Sequence, residues 1–110
     1  MKEEDLVKQF NLISLAGSAK SSAYEAIEVA QKGDYQRAKE LLKDADDILG
    51  KTHDIQVEDI QNLVDGKEVD PVNLIDVHAQ DHVMSAIEVR NLAEIIINMY
   101  QGLRSEFKNE

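Results

Sequence analysis

The sequence predicts an all-α protein, an antiparallel three-helix bundle. Apolar residues recur at helical spacing through three long segments, and no stretch alternates as a strand does. Turn chemistry is sparse. It is confined to Gly33-Asp34 and to the run from Asp65-Gly66 to Asp70-Pro71. The length, 110 residues, suits one domain spanning 1–110. A core of that size is modest, and such domains often gain stability by associating.

The first helix is expected over about 3–32. It carries two stripes. Leu6, Phe10, Ile13, Gly17, Tyr24 and Ile27 form one, interrupted by Lys20. Leu12, Ala16, Ala19, Ala23, Ala26 and Ala30 form the other. A row of alanines lets two helices approach closely. Gly17 costs a helix about 1 kcal/mol against alanine, which close packing would offset. Tyr24 reads as core. Gly33 is placed to end this helix, and Asp34 to cap the next.

The second helix is expected over about 35–64. Its apolar face holds Ala38, Leu41, Leu42, Ala45, Ile48, Leu49, Ile55, Ile60 and Leu63. Thr52, His53, Gln56 and Asp59 break the pattern in its second half. The third helix is expected over about 71–101, with Asp70 as N-cap and Pro71 at the first helical position. From Val72 to Tyr100, 17 of 29 residues are apolar and 5 are charged. A helix apolar on most sides must be covered on most sides. Two partner helices cover only part of it, so this segment is expected to meet other copies near a symmetry axis. The polar tail from Arg104 to Glu110 is expected to fray.

Composition narrows the function. The formal charge is −10, from 12 basic and 22 acidic residues. That argues against a nucleic-acid binder, which needs a basic surface facing phosphates, and disfavours anionic membranes. It suits a basic protein partner, although solubility alone accounts for it. There is no cysteine, hence no thiolate nucleophile or thiolate metal site. The acidic start, Met1-Lys2-Glu3-Glu4-Asp5, has no apolar run behind it for a signal peptide. Ile95-Ile96-Ile97 is too short to cross a bilayer. A cytoplasmic protein with no membrane insertion is the expectation.

The residues with chemistry lie in the third segment. His78 and His82 are four apart and share one helix face. Ser85 continues that line, Asp81 is rotated by about 60° from it, and Gln80 points largely away along its own chain but is able to reach a neighbouring one. Buried imidazoles need partners. Four uses stand open: a structural polar layer fixing register, a metal site, acid–base catalysis, and an imidazole accepting a phosphoryl group. Spacing alone favours the first two. Ala79 stands where the H-E-x-x-H zinc signature needs glutamate. His53 reads as a solvated residue. Asp44-Ala45-Asp46-Asp47 lacks a calcium loop's glycine spacing.

These residues resemble a family. Gly17-Ser18-Ala19-Lys20-Ser21, Ala26-Ile27, Gly33-Asp34-Tyr35, His53-Asp54-Ile55-Gln56 and, most specifically, Val77-His78-Ala79-Gln80-Asp81-His82-Val83-Met84 are similar to the lactose/cellobiose-type IIA component of the bacterial phosphoenolpyruvate-dependent sugar phosphotransferase system. The resemblance runs from about Leu12 to Tyr100. It implies a homotrimer of nine helices and a phosphotransferase component with a phosphohistidine intermediate. It implies that His78 is the nucleophile, taking phosphate from the histidine phosphocarrier protein. Onward transfer would be to a cysteine of the cognate IIB domain, for uptake of a disaccharide such as cellobiose, chitobiose or lactose. It implies that His82 and Gln80 line the phosphorylation site. It also implies that Asp81 from three subunits holds a divalent cation of the magnesium type on the axis. A non-catalytic, metal-assembled helical trimer serving as an interaction module is the competing expectation.

Two positions depart from the family pattern. Asp76 stands where an aliphatic residue is usual, about 200° around the helix from His78. That places its effect on packing or partner choice. Val57 replaces a frequent threonine, removing a hydroxyl expected to support the site.

Overall fold

The structure is a computed structural model that describes residues 2–108. Three helices follow one another: α1 Glu3–Gln31, α2 Tyr35–Val64 and α3 Leu74–Lys108. They run up, down and up. The upper half of α1 (Ala23, Ala26, Ala30) packs on the start of α2 (Ala38, Leu41, Leu42) and on Ala93 and Ile97 of α3. The lower half (Leu12, Ala16, Ala19) packs on Ala45 and on Ala79, Val83 and Ala86. The alanine stripe is therefore the core, and α1 is the middle helix of the packing. Small side chains on both partners let the backbones close up, so α1 touches both neighbours along its length. By contrast, α2 and α3 meet over a much shorter stretch.

Two glycine turns define the ends. Gly33 sits at φ +89°. Asp34 N–H donates to the Val29 carbonyl at 3.0 Å and Gly33 N–H to Ala30 at 2.9 Å, the paired closure that satisfies the last carbonyls of a helix. Asp34 then caps α2, its carboxylate accepting from Arg37 N–H at 3.0 Å. Gly66, at φ +74°, closes α2 in the same way.

The third helix starts later than its sequence suggests. Asp70 and Pro71 lie outside it. Asn73 is the cap instead: its Oδ1 accepts from Asp76 N–H at 3.1 Å, while Asp76 Oδ2 accepts from Asn73 N–H at 3.0 Å. This reciprocal pair satisfies two orphan donors at once, which a lone Asp70 before proline does not. Asp76 thus has a structural role at the N-terminus of α3. At the other end, α3 continues to Lys108 rather than fraying from Arg104. Tyr100 Oη donates to the Gln31 carbonyl at 3.2 Å. Arg104 lies over Gly33, close enough that an added Cβ would meet Nη1 at 2.8 Å. A cation at the carbonyl end of α1 is favourably placed. Asn109 and Glu110 lie outside the described residues.

Other expectations change. Thr52 is 1 % exposed and its hydroxyl donates to the Leu49 carbonyl at 2.8 Å, so it belongs to the core face of α2. Tyr24, expected in the core, is exposed, as are Leu6 and Phe10 of the same stripe. The alanine stripe faces both partner helices, which leaves these three outside while Ile13 and Ile27 of their stripe pack half-buried against the core. Gly17 is exposed, with nothing near a Cβ, so no close packing within the chain offsets it. Ile60 and Leu63 near the end of α2 are also uncovered.

Ion pairs join the helices where alanines do not. Arg90 Nε and Nη2 reach both carboxylate oxygens of Asp46 at 2.6 and 3.0 Å, and Nη1 reaches Glu94. The hydrogen bond to Asp46 raises the guanidinium pKa further. Lys8 bonds Asp59 at 2.6 Å, tying α1 to α2. That bond raises the Lys8 ammonium above its ordinary value against a smaller opposing effect of burial. Among the described residues, no helix is long and apolar enough to cross a membrane.

Candidate functional site

His78 and His82 come together on the side of α3 that borders α1. Their Nε2 atoms are 3.1 Å apart. The ring centroids are 4.6 Å apart, with the planes at 83°. This follows from one helical turn between them and from the flanking Ala79, Val83 and Ala86, which face the core and fix the rotation of α3. At this distance the N–H of one ring can donate to the nitrogen of the other. When that N–H is on His82, His78 Nε2 presents a lone pair.

The pair opens into a shallow concavity of about 270 Å³, lined by Lys20, His78, Asp81, His82 and Ser85. His78 is exposed and His82 half-buried. The layer is therefore not enclosed within one chain, as the seam pattern suggested, because no third helix crosses that edge. Asp81 lies beside both histidines, exposed between Val77 and Met84 on the outer face of α3. Gln80 is elsewhere. It accepts a hydrogen bond from Gln56 Nε2 at 2.5 Å, facing α2. It is not among the residues lining the concavity. His53 and Val57 are exposed on α2, also outside the concavity.

In the sequence Lys20 belongs to the piece Gly17-Ser18-Ala19-Lys20-Ser21 and interrupts the apolar first stripe of α1, with no role attached to it. The fold gives that interruption a position. Ser85 was visible on the histidine line and also joins the site. No group of three His, Cys, Asp or Glu side chains converges to hold a metal among the described residues of one chain. Asp81 offers one hard carboxylate per chain, which suits an ion shared between copies and not one held by a single copy. An imidazole lone pair, a neighbouring N–H donor, a hydroxyl and an ammonium around one open hollow can accept and hold a tetrahedral anion.

Known proteins give the same direction. The family model described as "PTS system, Lactose/Cellobiose specific IIA subunit" matches residues 7–101. The lichenan-specific phosphotransferase enzyme IIA component of Bacillus subtilis (strain 168) is 40 % identical over 106 residues, covering 96 % of each chain. The crystal structure of the cellobiose-specific enzyme IIA from Bacillus anthracis superposes with a TM-score of 0.86 at 33 % identity, over 96 % of this chain and 94 % of that one. A chain of the solution structure of the IIA(Chitobiose)–HPr complex from the Escherichia coli phosphotransferase system superposes with a TM-score of 0.76 at 30 % identity, over 94 % and 99 %. By sequence and by helix order, the chain belongs to the lactose/cellobiose-specific IIA subunit family of the phosphotransferase system.

Proposed function

We propose that this chain is a cytoplasmic phosphoryl carrier that holds its phosphate on Nε2 of His78. The observation that carries the reading is the 3.1 Å contact between His78 Nε2 and His82 Nε2 at an open hollow. The donor is the phosphohistidine of the histidine phosphocarrier protein, the kind of partner named for the chitobiose relative. The donor's P–N bond breaks as the bond to His78 Nε2 forms. His82 holds the exchanging proton on its own Nε2, then turns that N–H from His78 to a phosphoryl oxygen. Transfer of this kind needs alignment and charge stabilisation more than covalent help. In the next step the phosphoryl passes to a cysteine thiolate of the cognate IIB domain, freeing His78. Gln80 supports the site indirectly, by joining the segment between the histidines to Gln56 of α2. The sugar is a disaccharide of the cellobiose, chitobiose or lactose kind.

The reading includes a homotrimer. An outward stripe of α3, with Leu74, Val77, Met84, Leu92 and Ile95, is exposed in one chain. Such a stripe favours burial against copies of itself. Asp81 lies within it, and three such carboxylates near an axis would repel unless a divalent cation of the magnesium type sat between them.

The test is incubation with phosphoenolpyruvate and the general phosphotransfer proteins. Acid-labile phosphate is expected on the wild type and absent from His78→Ala. Label persisting on that variant would overturn His78 as the carrier. No label on the wild type would favour a metal-assembled interaction module instead.

A further inference from the structure

We infer that Lys20 is the residue that binds the phosphoryl oxygens while the group sits on His78. The inference rests on the phosphocarrier reading and extends it to a side chain from a different helix. Lys20 is half-buried and brings α1 into the hollow with His78, Asp81, His82 and Ser85. It is the only cation of that lining. The other charged chains that link helices, Lys8 and Arg90, are paired with carboxylates. Lys20 makes no ion pair or side-chain hydrogen bond among the described residues, although the chain has 22 acidic residues against 12 basic ones. In so acidic a protein, an ammonium left uncommitted beside a nucleophile is available for an incoming anion.

Its placement has a cost in the packing pattern. It interrupts the row Leu6, Phe10, Ile13, Gly17, Tyr24, Ile27. Gly17, one turn before it, is exposed and opens free space where a side chain would stand. A cation flanked by an open approach suits a bulky, negatively charged visitor. The phosphoryl group brings two to three oxygens, and one charge-assisted hydrogen bond from an ammonium is roughly twice as strong as a neutral one. His82 can donate to one oxygen and Lys20 to another. Together they offset charge on the group during entry, storage and departure.

Lys20→Met keeps the aliphatic stem and removes the charge, whereas Lys20→Arg keeps a charge. The rate of phosphorylation by the phosphorylated histidine carrier is expected to fall about tenfold to a hundredfold in Lys20→Met and to recover largely in Lys20→Arg. The hydrolytic lifetime of the phosphorylated form should change in the methionine variant only. A second measurement is independent of transfer. Inorganic phosphate titrated into isotope-labelled protein should shift the His78 and His82 ring resonances in the wild type and not in Lys20→Met. Equal rates in wild type and Lys20→Met would overturn the inference, as would equal phosphate shifts or none in either protein. A wild type that takes no label but shows Lys20-dependent phosphate shifts would overturn the carrier reading and leave the anion site standing.

Discussion

Arg90 occupies a core position of α3, with its side chain only 17 % exposed, and spends its charge on Asp46 of α2. The pair ties α2 to α3, which otherwise meet over a short stretch. Bidentate geometry and partial burial set it above an ordinary surface ion pair, although Asp46 is half-exposed and its share is screened. Arg90→Met should lower stability by about 1–2 kcal/mol, read from the urea midpoint. An unchanged midpoint would mean that the pair contributes nothing. Lys8 allows a test of sign. Its pKa is raised in the folded protein, chiefly by the bond to Asp59. Stability from that contact is complete below the unfolded value of about 10.4 and disappears as pH climbs through the folded value. The stability difference between wild type and Lys8→Met should therefore hold steady from neutral pH to about pH 10 and shrink above it. Widening above that pH would contradict the assignment.

At the scale of elements, the start of α3 decides where the histidines stand. Four residues separate Asn73 from His78, so the cap sets where the helix carrying the site begins. Asn73→Ala should cost about 1 kcal/mol in thermal or urea unfolding. Asp70→Ala, at the position the sequence marks more loudly, should cost close to nothing. The difference shows what patterns reveal. Both glycine turns and the alanine seam were legible because positive φ and close approach restrict residue type sharply. The Asn73–Asp76 exchange was not, because Asp70-Pro71 is the stronger local signal and reciprocity appears only in three dimensions. The histidine pair was legible from spacing, and its use from resemblance. The place of Lys20 was not, since it depends on which face of α1 borders α3. Gln80 follows its helical angle: two residues beyond His78, it turns away from the hollow of its own chain and meets Gln56.

The whole molecule is a rod of 64 × 23 × 19 Å. Its radius of gyration is 17.7 Å, against about 13 Å for a compact domain of this length. Its accessible surface is 7545 Å², where about 6,100 Å² is usual for a monomer of this mass. The excess includes the apolar outer stripe of α3, which fits lateral packing of copies along the rod. Sedimentation should report a trimer with magnesium present that loosens in chelator. Asp81→Leu removes the clustered charge and should remain trimeric, indifferent to chelator, and bind no divalent ion. A monomeric wild type would contradict this arrangement. Loss of the trimer in Asp81→Leu would show that the ion, not the apolar stripe, holds it together.

Everything turns on one nitrogen. Heteronuclear NMR of the protein phosphorylated through the histidine phosphocarrier locates the phosphorus directly. The expected result is phosphorus bonded to Nε2 of His78, with His82 unmodified and its ring resonances displaced. Phosphorus on His82 or His53, or on Nδ1 of His78, would contradict the mechanism drawn from the 3.1 Å contact between the two rings.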